Sequence, residues 1–390
     1  MHSFLPVGTA AFLLFGVVLV LPGACHDGIV ASLGLDHSGF GLLGASLSGG
    51  IGLGVLVAGP LVDRLPRRPL LLAATLIAAA SLLGVGEHMS TSRAMAHIAA
   101  VGAGAGVYDT LLNAVTVQTW RERSVRPMTF LHAAVTIGAV ATPALVTLAG
   151  GSMHWVWIFR MTGVAYLGVA LWAFFVPLPP PRAVLVGAPH ETPWSALRTP
   201  SFIALCIVAV AYVGTEAVLT LFAHPYVEAV LGLDEARGQS AITAFWAGIL
   251  AGRLLLLLPR DGVGARTLAV EGIAASALVA VTIGAALSPV ELWMGAIGLV
   301  LAGVFPVMIS LAGRAVPEAV GTATGLVAGL GSLGGFALPW LTGTISDAFD
   351  VHLAMTSLAL WCAAIGLAAL VVQRATHARA TLASRVHDAD

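Results

Sequence analysis

Residues 59–68 read Gly59-Pro60-Leu61-Val62-Asp63-Arg64-Leu65-Pro66-Arg67-Arg68 and separate two long apolar runs. A short charged turn between apolar runs of about 20 residues is typical of a loop that joins two membrane-spanning helices. A carboxylate at a helix end, beside several arginines, can also pair with neighbouring helix ends and act as a conformational latch. The alternative is that the arginines only anchor the loop on one side of the membrane. The stretch therefore predicts a polytopic membrane protein.

The composition of the whole chain agrees with this prediction. Of its 390 residues, 58% are hydrophobic and 9% are charged, whereas a soluble domain carries about 25% charged residues. All 18 basic residues are arginine, and the absence of lysine excludes P-loop nucleotide binding and Schiff-base chemistry. A net charge of −1 provides no basic field for nucleic acid, so no nucleic-acid partner is expected.

The cysteine pattern gives no sign of metal or redox chemistry. Cys25, Cys206 and Cys362 lie far apart in apolar runs and are interpreted as small hydrophobic residues of the core. The sequence contains no CxxC, HExxH or local Cys/His cluster. No metal site and no other cofactor is therefore expected.

Apolar runs bounded by arginine, proline or short polar turns predict an all-α protein with twelve transmembrane helices. The first run is interpreted as a span because it is too long for a signal peptide and lacks a basic flank. The predicted spans, numbered in chain order, are 8–33, 39–62, 69–88, 94–119, 127–149, 155–177, 201–231, 238–259, 266–287, 289–313, 320–345 and 351–373.

Arginine is distributed unevenly between the loops on alternate sides of these helices. One set of loops contains most of the arginines, and the opposite set contains only Arg93 and Arg237. Because positive residues mark the cytoplasmic side, both termini are expected in the cytoplasm. The protein is then a multi-pass protein of the cell (inner) membrane. The arginines of the cytoplasmic set are Arg64, Arg67, Arg68, Arg121, Arg123, Arg126, Arg182, Arg198, Arg260, Arg266, Arg314, Arg374, Arg379 and Arg385.

A proline-rich interruption divides the chain into two groups of six helices. The segment 178–200 is too polar and too rich in proline to span a membrane, and it is interpreted as a cytoplasmic linker. The predicted organisation is an N-terminal six-helix bundle over 1–177, the linker, a C-terminal six-helix bundle over 201–374 and a cytoplasmic tail over 375–390.

Two short patterns recur about half a chain apart. Gly138 and Pro143 in predicted helix 5 have the same spacing as Gly334 and Pro339 in predicted helix 11. A glycine-rich pattern of helix 2 also recurs in helix 8. These matches indicate an internal duplication. The small residues themselves fit either tight static packing or an interface that moves.

The stretch 59–68 resembles the loop signature G-x-L-a-D-r-x-G-r-r of the major facilitator superfamily, with Pro66 in place of the usual glycine. The resemblance implies two six-helix bundles that rock about a central site. It also implies a conformational latch formed by Gly59, Asp63, Arg64, Arg67 and Arg68.

Further segments resemble the fucose–galactose–glucose:proton symporter branch of that superfamily. The resemblance implies proton-coupled sugar transport centred on two buried carboxylates. The segments are His26-Asp27, Asp109-Thr-Leu-Leu-Asn113, Phe130-Leu-His132 followed by Gly138, Tyr212-Val-Gly-Thr-Glu216, and Phe245-Trp246-x-Gly248-x-x-x-Gly252-Arg253.

Three carboxylates lie within predicted spans, namely Asp27, Asp109 and Glu216. A charged group at mid-membrane costs about 2.5–3.5 kcal/mol on insertion scales, so such groups usually face a cavity and are functional. Asp109 and Asn113 share one helix face and could grip the hydroxyl groups of a solute. The alternative for this pair is an interhelical hydrogen bond that only stabilises packing.

Proton coupling is assigned to Asp27 and Asp109. Asp27 lies near the outer end of helix 1, where desolvation among helices is expected to raise its pKa toward neutral. The alternative is a solvated residue close to the membrane surface.

Predicted helix 7 carries Tyr212, Glu216, Thr220 and His224 at intervals of four, which places them in one polar stripe. The stripe indicates a helix that lines a cavity, and the alternative is a row of satisfied interhelical hydrogen bonds. Tyr212, Glu216, His132 and Trp246 are added to Asp109 and Asn113 as candidate substrate-binding residues. Arg253 is interpreted as a residue that snorkels or pairs near a helix end rather than one that binds substrate.

The sequence thus predicts a monomeric, non-enzymatic transporter that moves a small polar solute, such as a sugar, inward together with protons. The first alternative is a proton-driven exporter of drugs or metabolites, since the loop signature is common to both. Alternatives from other classes are a multispan membrane enzyme, for which clustered acids or a loop nucleophile are lacking, and a transport-inactive sensor.

Overall fold

The structure is a computed structural model that describes residues 4–62, 65–120, 125–148, 154–179, 198–256, 258, 263–315 and 320–387. These residues form α-helices joined by short turns, and no strand occurs among them. The helices, in chain order, are α1 (Phe4–Ala24), α2 (His26–Leu33), α3 (His37–Val62), α4 (Arg67–Leu83), α5 (Thr91–Trp120), α6 (Val125–Leu148), α7 (Trp155–Phe175), α8 (Pro200–Ala229), α9 (Glu235–Leu256), α10 (Ala265–Thr282), α11 (Val290–Leu301), α12 (Val304–Ala315), α13 (Val320–Ala348), α14 (Val351–Thr356) and α15 (Leu358–His387).

The predicted spans coincide with these helices, and three of them are interrupted. The first span breaks at Cys25 between α1 and α2, the tenth breaks between α11 and α12, and the twelfth breaks at Ser357 between α14 and α15. In addition, α15 continues as a helix into the predicted tail. Most of the predicted linker, residues 180–197, lies outside the described residues.

In the described part of the chain, 11 helical segments are long and apolar enough to cross a membrane. The predicted third span corresponds to α4, which has 17 residues. At a rise of 1.5 Å per residue, this helix is about 26 Å long, slightly less than the hydrocarbon core. Its crossing of the membrane therefore stays a prediction.

The outer surface of the helix assembly is apolar, as lipid contact requires. Large hydrophobic side chains such as Leu148, Phe175 and Leu360 are exposed on it. In a soluble protein an extensive apolar surface is unusual. The fold is therefore an all-α polytopic membrane fold.

We call α1–α7 the first half and α8–α15 the second half. Equivalent helices pack in the same way in both: α1 packs against α6 as α8 packs against α13. A Cβ atom added at Gly138 would lie 2.0 Å from the carbonyl oxygen of Leu13, and one at Gly334 would lie 1.8 Å from that of Val210. Only glycine permits such a backbone approach. The recurring glycines thus occupy equivalent contacts, which supports the predicted duplication.

The two halves contact each other through α1 and α8, α3 and α13, and α6 and α9. At one end of this interface, Gln239 Nε2 donates to the Ala24 carbonyl at 2.8 Å and the Ser38 amide donates to Asp347 Oδ2 at 2.8 Å. We call this the Asp27 end, and the predicted orientation places it outside the cell. These contacts close the interface between the halves at the Asp27 end.

Candidate functional site

The polar stripe of α8 faces the protein interior. The Tyr212 hydroxyl donates to Glu216 Oε2, and the Thr220 hydroxyl donates to the Glu216 carbonyl at 2.8 Å. Trp246 Nε1 on α9 donates to Thr220 Oγ1 at 3.1 Å. Tyr212, Glu216, Thr220 and Trp246 therefore form one connected set, whereas His224, the fourth residue of the stripe, lies beside Asp27 instead.

Arg253, in the last turn of α9, lies at the interface between the halves. Its side chain is 6% exposed. Its Nη1 atom donates to Thr136 Oγ1 at 2.8 Å and to the His132 carbonyl at 3.3 Å, both on α6 of the first half. The same guanidinium group interacts with Tyr212 and Glu216 of the second half. Arg253 thus joins the candidate residues of α6 to those of α8, and we call Arg253, Tyr212 and Glu216 the Arg253 cluster.

This position decides between the two roles that the sequence suggests for Arg253, since it excludes snorkelling and agrees with pairing. A snorkelling arginine keeps its guanidinium group in water, whereas this group is buried and its Nε atom has no hydrogen-bond partner among the described residues. The partners on α6 are more than 100 residues away in sequence. In the sequence, Arg253 is linked to the candidate site only by its place in the same F-W-x-G-x-x-x-G-R pattern as Trp246.

The imidazole of His132 lies in an aromatic environment rather than in the polar set. Its ring centroid is 5.2 Å from that of Phe12 on α1 and 5.8 Å from that of Phe305 on α12. The Phe305 ring also packs against Tyr212 at 6.3 Å. The backbone carbonyl of His132 therefore contacts Arg253, while its imidazole packs against the rings of Phe12 and Phe305.

Asp109 and Asn113 lie on one face of α5, as predicted, and Asn113 Nδ2 donates to Asp109 Oδ1 at 3.1 Å. Asn113 Oδ1 is buried without a hydrogen-bond partner among the described residues. Tyr108, adjacent to Asp109, packs against Phe15 at 6.0 Å, and Phe15 packs against Phe12 at 6.5 Å. Ring contacts thus run from Tyr108 through Phe15 and Phe12 to His132, and among the described residues no hydrogen bond joins Asp109 or Asn113 to Arg253, Tyr212 or Glu216.

The expectation for the pKa of Asp27 is wrong in direction. Asp27 lies in α2, beyond the end of the first spanning segment, and its side chain is 48% exposed. The hydrogen bond with His26 holds the pKa of Asp27 below its ordinary value and outweighs the opposite effect of partial burial. The premise for Asp27 as proton carrier, a carboxyl group desolvated by surrounding helices, is therefore not met, and its role stays a prediction.

Sequence reasoning also missed Glu271 on α10. This carboxylate accepts a hydrogen bond from the backbone of Gly303, at the break between α11 and α12. Its Oε2 atom is buried without a hydrogen-bond partner among the described residues. The acid could have been identified from its place inside an apolar run, since Glu271 lies within the predicted span 266–287.

The predicted latch is described only in part, because Asp63 and Arg64 lie outside the described residues. Arg67 is buried, and its Nη1 atom donates to the carbonyl of Pro179 at 3.2 Å. The guanidinium carbon of Arg68 lies 5.1 Å from the centroid of the Phe174 ring at the end of α7. Gly59 has open space around it. The described latch arginines therefore contact the end of α7 and the segment that follows it.

Comparison with known proteins identifies the family. The sequence model described as Major Facilitator Superfamily matches residues 7–258, which is more than half of the chain. The chain is 26% identical over 353 residues to an uncharacterized MFS-type transporter, YfkL, of Bacillus subtilis, covering 86% of this chain and 87% of the relative. It is also 26% identical over 316 residues to a probable nitrate/nitrite transporter, NarK2, of Mycobacterium tuberculosis, covering 76% and 77%.

Solved structures agree with this fold. A D-xylose-proton symporter superposes with a TM-score of 0.78 at 15% identity, over 95% of this chain and 97% of that one. The nucleoside transporter NupG superposes with a TM-score of 0.71 at 13% identity, over 95% and 98%. At these identities the likeness concerns the fold alone. The more specific assignment to the fucose–galactose–glucose:proton symporter branch stays a prediction.

Proposed function

The chain belongs to the major facilitator superfamily and is a membrane transporter, and on this premise we propose that it moves a small polar solute inward by proton symport. In this proposal the first and second halves rock about a site between them, so that the site opens to each side of the membrane in turn. The solute is a sugar or a similar hydroxyl-rich molecule.

The observation that carries the proposal is the buried cluster of Arg253, Tyr212 and Glu216 at the interface of the halves. Charged groups inside a membrane are costly and are retained mainly where they serve transport. Arg253 binds α6 of the first half through Thr136. Because rocking of the halves must break this contact, a solute that replaces Thr136 as partner would couple its own binding to the movement.

Proton coupling is proposed for Asp109. Its hydrogen-bond partner is Asn113, and no ion pair of Asp109 with an arginine or histidine occurs among the described residues. Protonation of Asp109 therefore leaves no cation without its counter-charge. Protonation of Glu216, in contrast, would remove the negative charge that compensates Arg253. Asp109 can thus load and release a proton without disrupting the cluster that holds the halves together.

The polar groups present suit a solute with several hydroxyl groups. Carboxylate and amide oxygens accept hydrogen bonds from hydroxyls, while Arg253 and the Asn113 amide donate them. Trp246 supplies a flat apolar surface of the kind on which a sugar ring stacks. The symporter that this fold resembles is named for xylose, which agrees in chemical class with the proposal.

A second candidate, uptake of a small anion such as nitrate, is favoured by one observation. The Nε atom of the buried Arg253 has no hydrogen-bond partner among the described residues. A planar guanidinium group with a free donor is suited to a planar oxyanion. The relative NarK2 is described as a probable nitrate/nitrite transporter.

The test is uptake into proteoliposomes that contain the purified full-length protein, with an imposed inward proton gradient. The solutes offered are xylose, glucose, uridine and nitrate. Accumulation of a sugar that stops when the gradient is collapsed supports the proposal, and accumulation of nitrate alone supports the second candidate. Extrusion of a preloaded solute driven by protons would instead establish the exporter. Glu228→Gln serves as the control variant and should retain uptake, since Glu228 is an exposed acid on the same helix as Glu216.

A further inference from the structure

Two histidines and one aspartate meet at the Asp27 end, and the mechanism proposed above does not use them. His26 Nδ1 lies 2.8 Å from Asp27 Oδ1, and His224 Nδ1 lies 3.4 Å from the same oxygen. One ligand atom from each of the three residues lies within 4.8 Å of the others. The arrangement could not be found from sequence, because His224 is separated from Asp27 by about half of the chain.

The three residues come from opposite sides of the interface between the halves. His26 and Asp27 belong to α2, and His224 belongs to α8. Beside them, Gln239 of the second half donates to the Ala24 carbonyl of the first half at 2.8 Å. Anything bound by all three residues would therefore connect the two halves at the end where they are closed.

His224 has polar atoms that the fold leaves without hydrogen-bond partners. Its side chain is 1% exposed, and neither ring nitrogen makes a hydrogen bond to a described residue. Buried polar groups are almost always hydrogen-bonded, and leaving one unpaired costs about 1–3 kcal/mol. The Nδ1 atom points to Asp27 at a distance slightly too long for a good hydrogen bond. This position suits a ligand placed between the two residues.

The donor set matches a transition-metal ion. Two imidazole nitrogens and one carboxylate oxygen are typical zinc ligands, with the fourth position open to water. Tetrahedral ligands at about 2.1 Å from a zinc ion lie about 3.4 Å from each other, which is the observed separation of His224 Nδ1 and Asp27 Oδ1. The half-exposed carboxylate of Asp27 gives an ion access from solvent. Glu228 and Glu235 add negative charge near His224.

We propose that His26, Asp27 and His224 bind one divalent transition-metal ion, with Zn²⁺ as the best-fitting ion, and that the bound ion holds the two halves together at the Asp27 end. The ion replaces the hydrogen bond between His26 Nδ1 and Asp27 Oδ1, and the neutral imidazole of His26 then carries its ring hydrogen on Nε2. The proposal does not depend on which solute the protein carries or on proton coupling.

Binding is tested by titrating Zn²⁺ into the purified full-length protein, freed of any affinity tag, in isothermal titration calorimetry. The expected stoichiometry is one ion per chain, with no heat signal from Mg²⁺, which prefers oxygen ligands. The variants His26→Gln and His224→Gln should each weaken binding by at least about tenfold. Since His224 is buried and its variant could fail to fold, Asp27→Asn provides a further test at a half-exposed position.

The control addresses a second cluster on the same face of the protein. His154 Nε2 lies 2.8 Å from Glu87 Oε1, and the neighbouring His88 is exposed. Glu87→Gln and His88→Gln should leave zinc affinity unchanged. The proposal is overturned if these controls abolish binding, if His26→Gln binds as tightly as the wild-type protein, or if the wild-type protein binds no zinc.

The bridging of the halves is tested by hydrogen–deuterium exchange with and without Zn²⁺. An ion held by both halves should slow amide exchange in peptides from residues 25–34 and from residues 222–233 together. Slower exchange in the first peptide alone would show that the ion binds only to α2, and it would refute the bridge. Neither measurement requires a known transport substrate.

Discussion

Arg253 and Thr136 are joined by a hydrogen bond of 2.8 Å that crosses the interface between the first and second halves. It is made by a buried guanidinium group that also interacts with Glu216. A contact of this kind cannot persist in every state of a transporter whose halves rock. We therefore expect the contacts of Arg253 to change whenever the two halves move relative to each other.

The first prediction concerns this arginine. Arg253→Gln should reduce solute uptake by proteoliposomes at least about tenfold, because breaking a buried, charge-assisted contact costs about 3 kcal/mol or more. The matched control is Arg237→Gln. Arg237 pairs with Glu291 at 3.0 Å but is 44% exposed, and surface pairs contribute about 0–1 kcal/mol. Equal losses in both variants would contradict a specific role for Arg253.

The double variant Arg253→Gln with Glu216→Gln separates charge compensation from transport. Removing both charges should raise the midpoint of thermal unfolding, Tm, relative to Arg253→Gln alone, because no buried carboxylate is left without its cation. Uptake should remain lost. If the double variant is less stable than both single variants, Glu216 and Arg253 do not compensate each other in the folded protein.

The third prediction concerns Asp109. Asp109→Asn should eliminate accumulation driven by a pH gradient, since an amide cannot carry the coupled proton, while the protein still inserts and folds. The matched control is Thr110→Val, one residue further along α5. The Thr110 hydroxyl donates to the Gly106 carbonyl of its own helix at 2.9 Å, so its removal should leave accumulation intact. Continued pH-driven accumulation by Asp109→Asn would assign the coupling to another acid, such as Glu271.

The sequence predicted most of the fold because membrane spans depend on local composition. Hydropathy and arginine placement located the helices within a few residues except at the end of α15, and spacing by four placed Asp109 with Asn113 and Tyr212 with Glu216. Each of these inferences uses residues that are neighbours along one helix.

Contacts between helices could not be predicted in this way. The environment of Arg253 depends on Thr136, 117 positions away, and that of His224 depends on α2. Asp27 was expected to be desolvated because the first span was predicted to continue to residue 33. The break at Cys25 instead places it at the half-exposed end of the assembly. The errors thus concern burial, which is set by packing between helices.

The fourth prediction concerns the turn between α2 and α3 and its dependence on pH. Asp36 Oδ1 accepts hydrogen bonds from the Gly39 amide at 2.7 Å and the Ser38 hydroxyl at 3.1 Å, and these bonds hold the pKa of Asp36 below its ordinary value. Because the pKa of Asp36 is lower in the folded protein than in the unfolded chain, the carboxylate stabilises the folded state at a pH above the pKa of the unfolded chain. This stabilisation is lost as the pH falls through the pKa of the folded protein. Asp36→Ala should therefore destabilise the protein by about 1 kcal/mol at pH 7. The difference in Tm from the wild-type protein should shrink in acid, and a difference independent of pH would exclude the carboxylate as its cause.

The last prediction concerns two equivalent glycines, Gly138 and Gly334, at which helices of one half approach each other closely. Gly334→Ala should destabilise the protein by at least about 1–3 kcal/mol, the usual cost of overpacking. The added Cβ atom would lie 1.8 Å from the carbonyl oxygen of Val210, and a backbone atom cannot move aside as a flexible side chain can. Gly325→Ala on the same helix is the control, since no atom lies within 4 Å of its Cβ position and alanine favours the helix by up to about 1 kcal/mol. Thermal unfolding in detergent micelles should show a lower Tm for Gly334→Ala and an equal or higher Tm for Gly325→Ala.

Gly138→Ala, the equivalent change in the first half, should behave like Gly334→Ala if the two halves descend from one duplicated unit. A tolerated Gly138→Ala beside a damaging Gly334→Ala would show that the two contacts differ despite their equivalent positions.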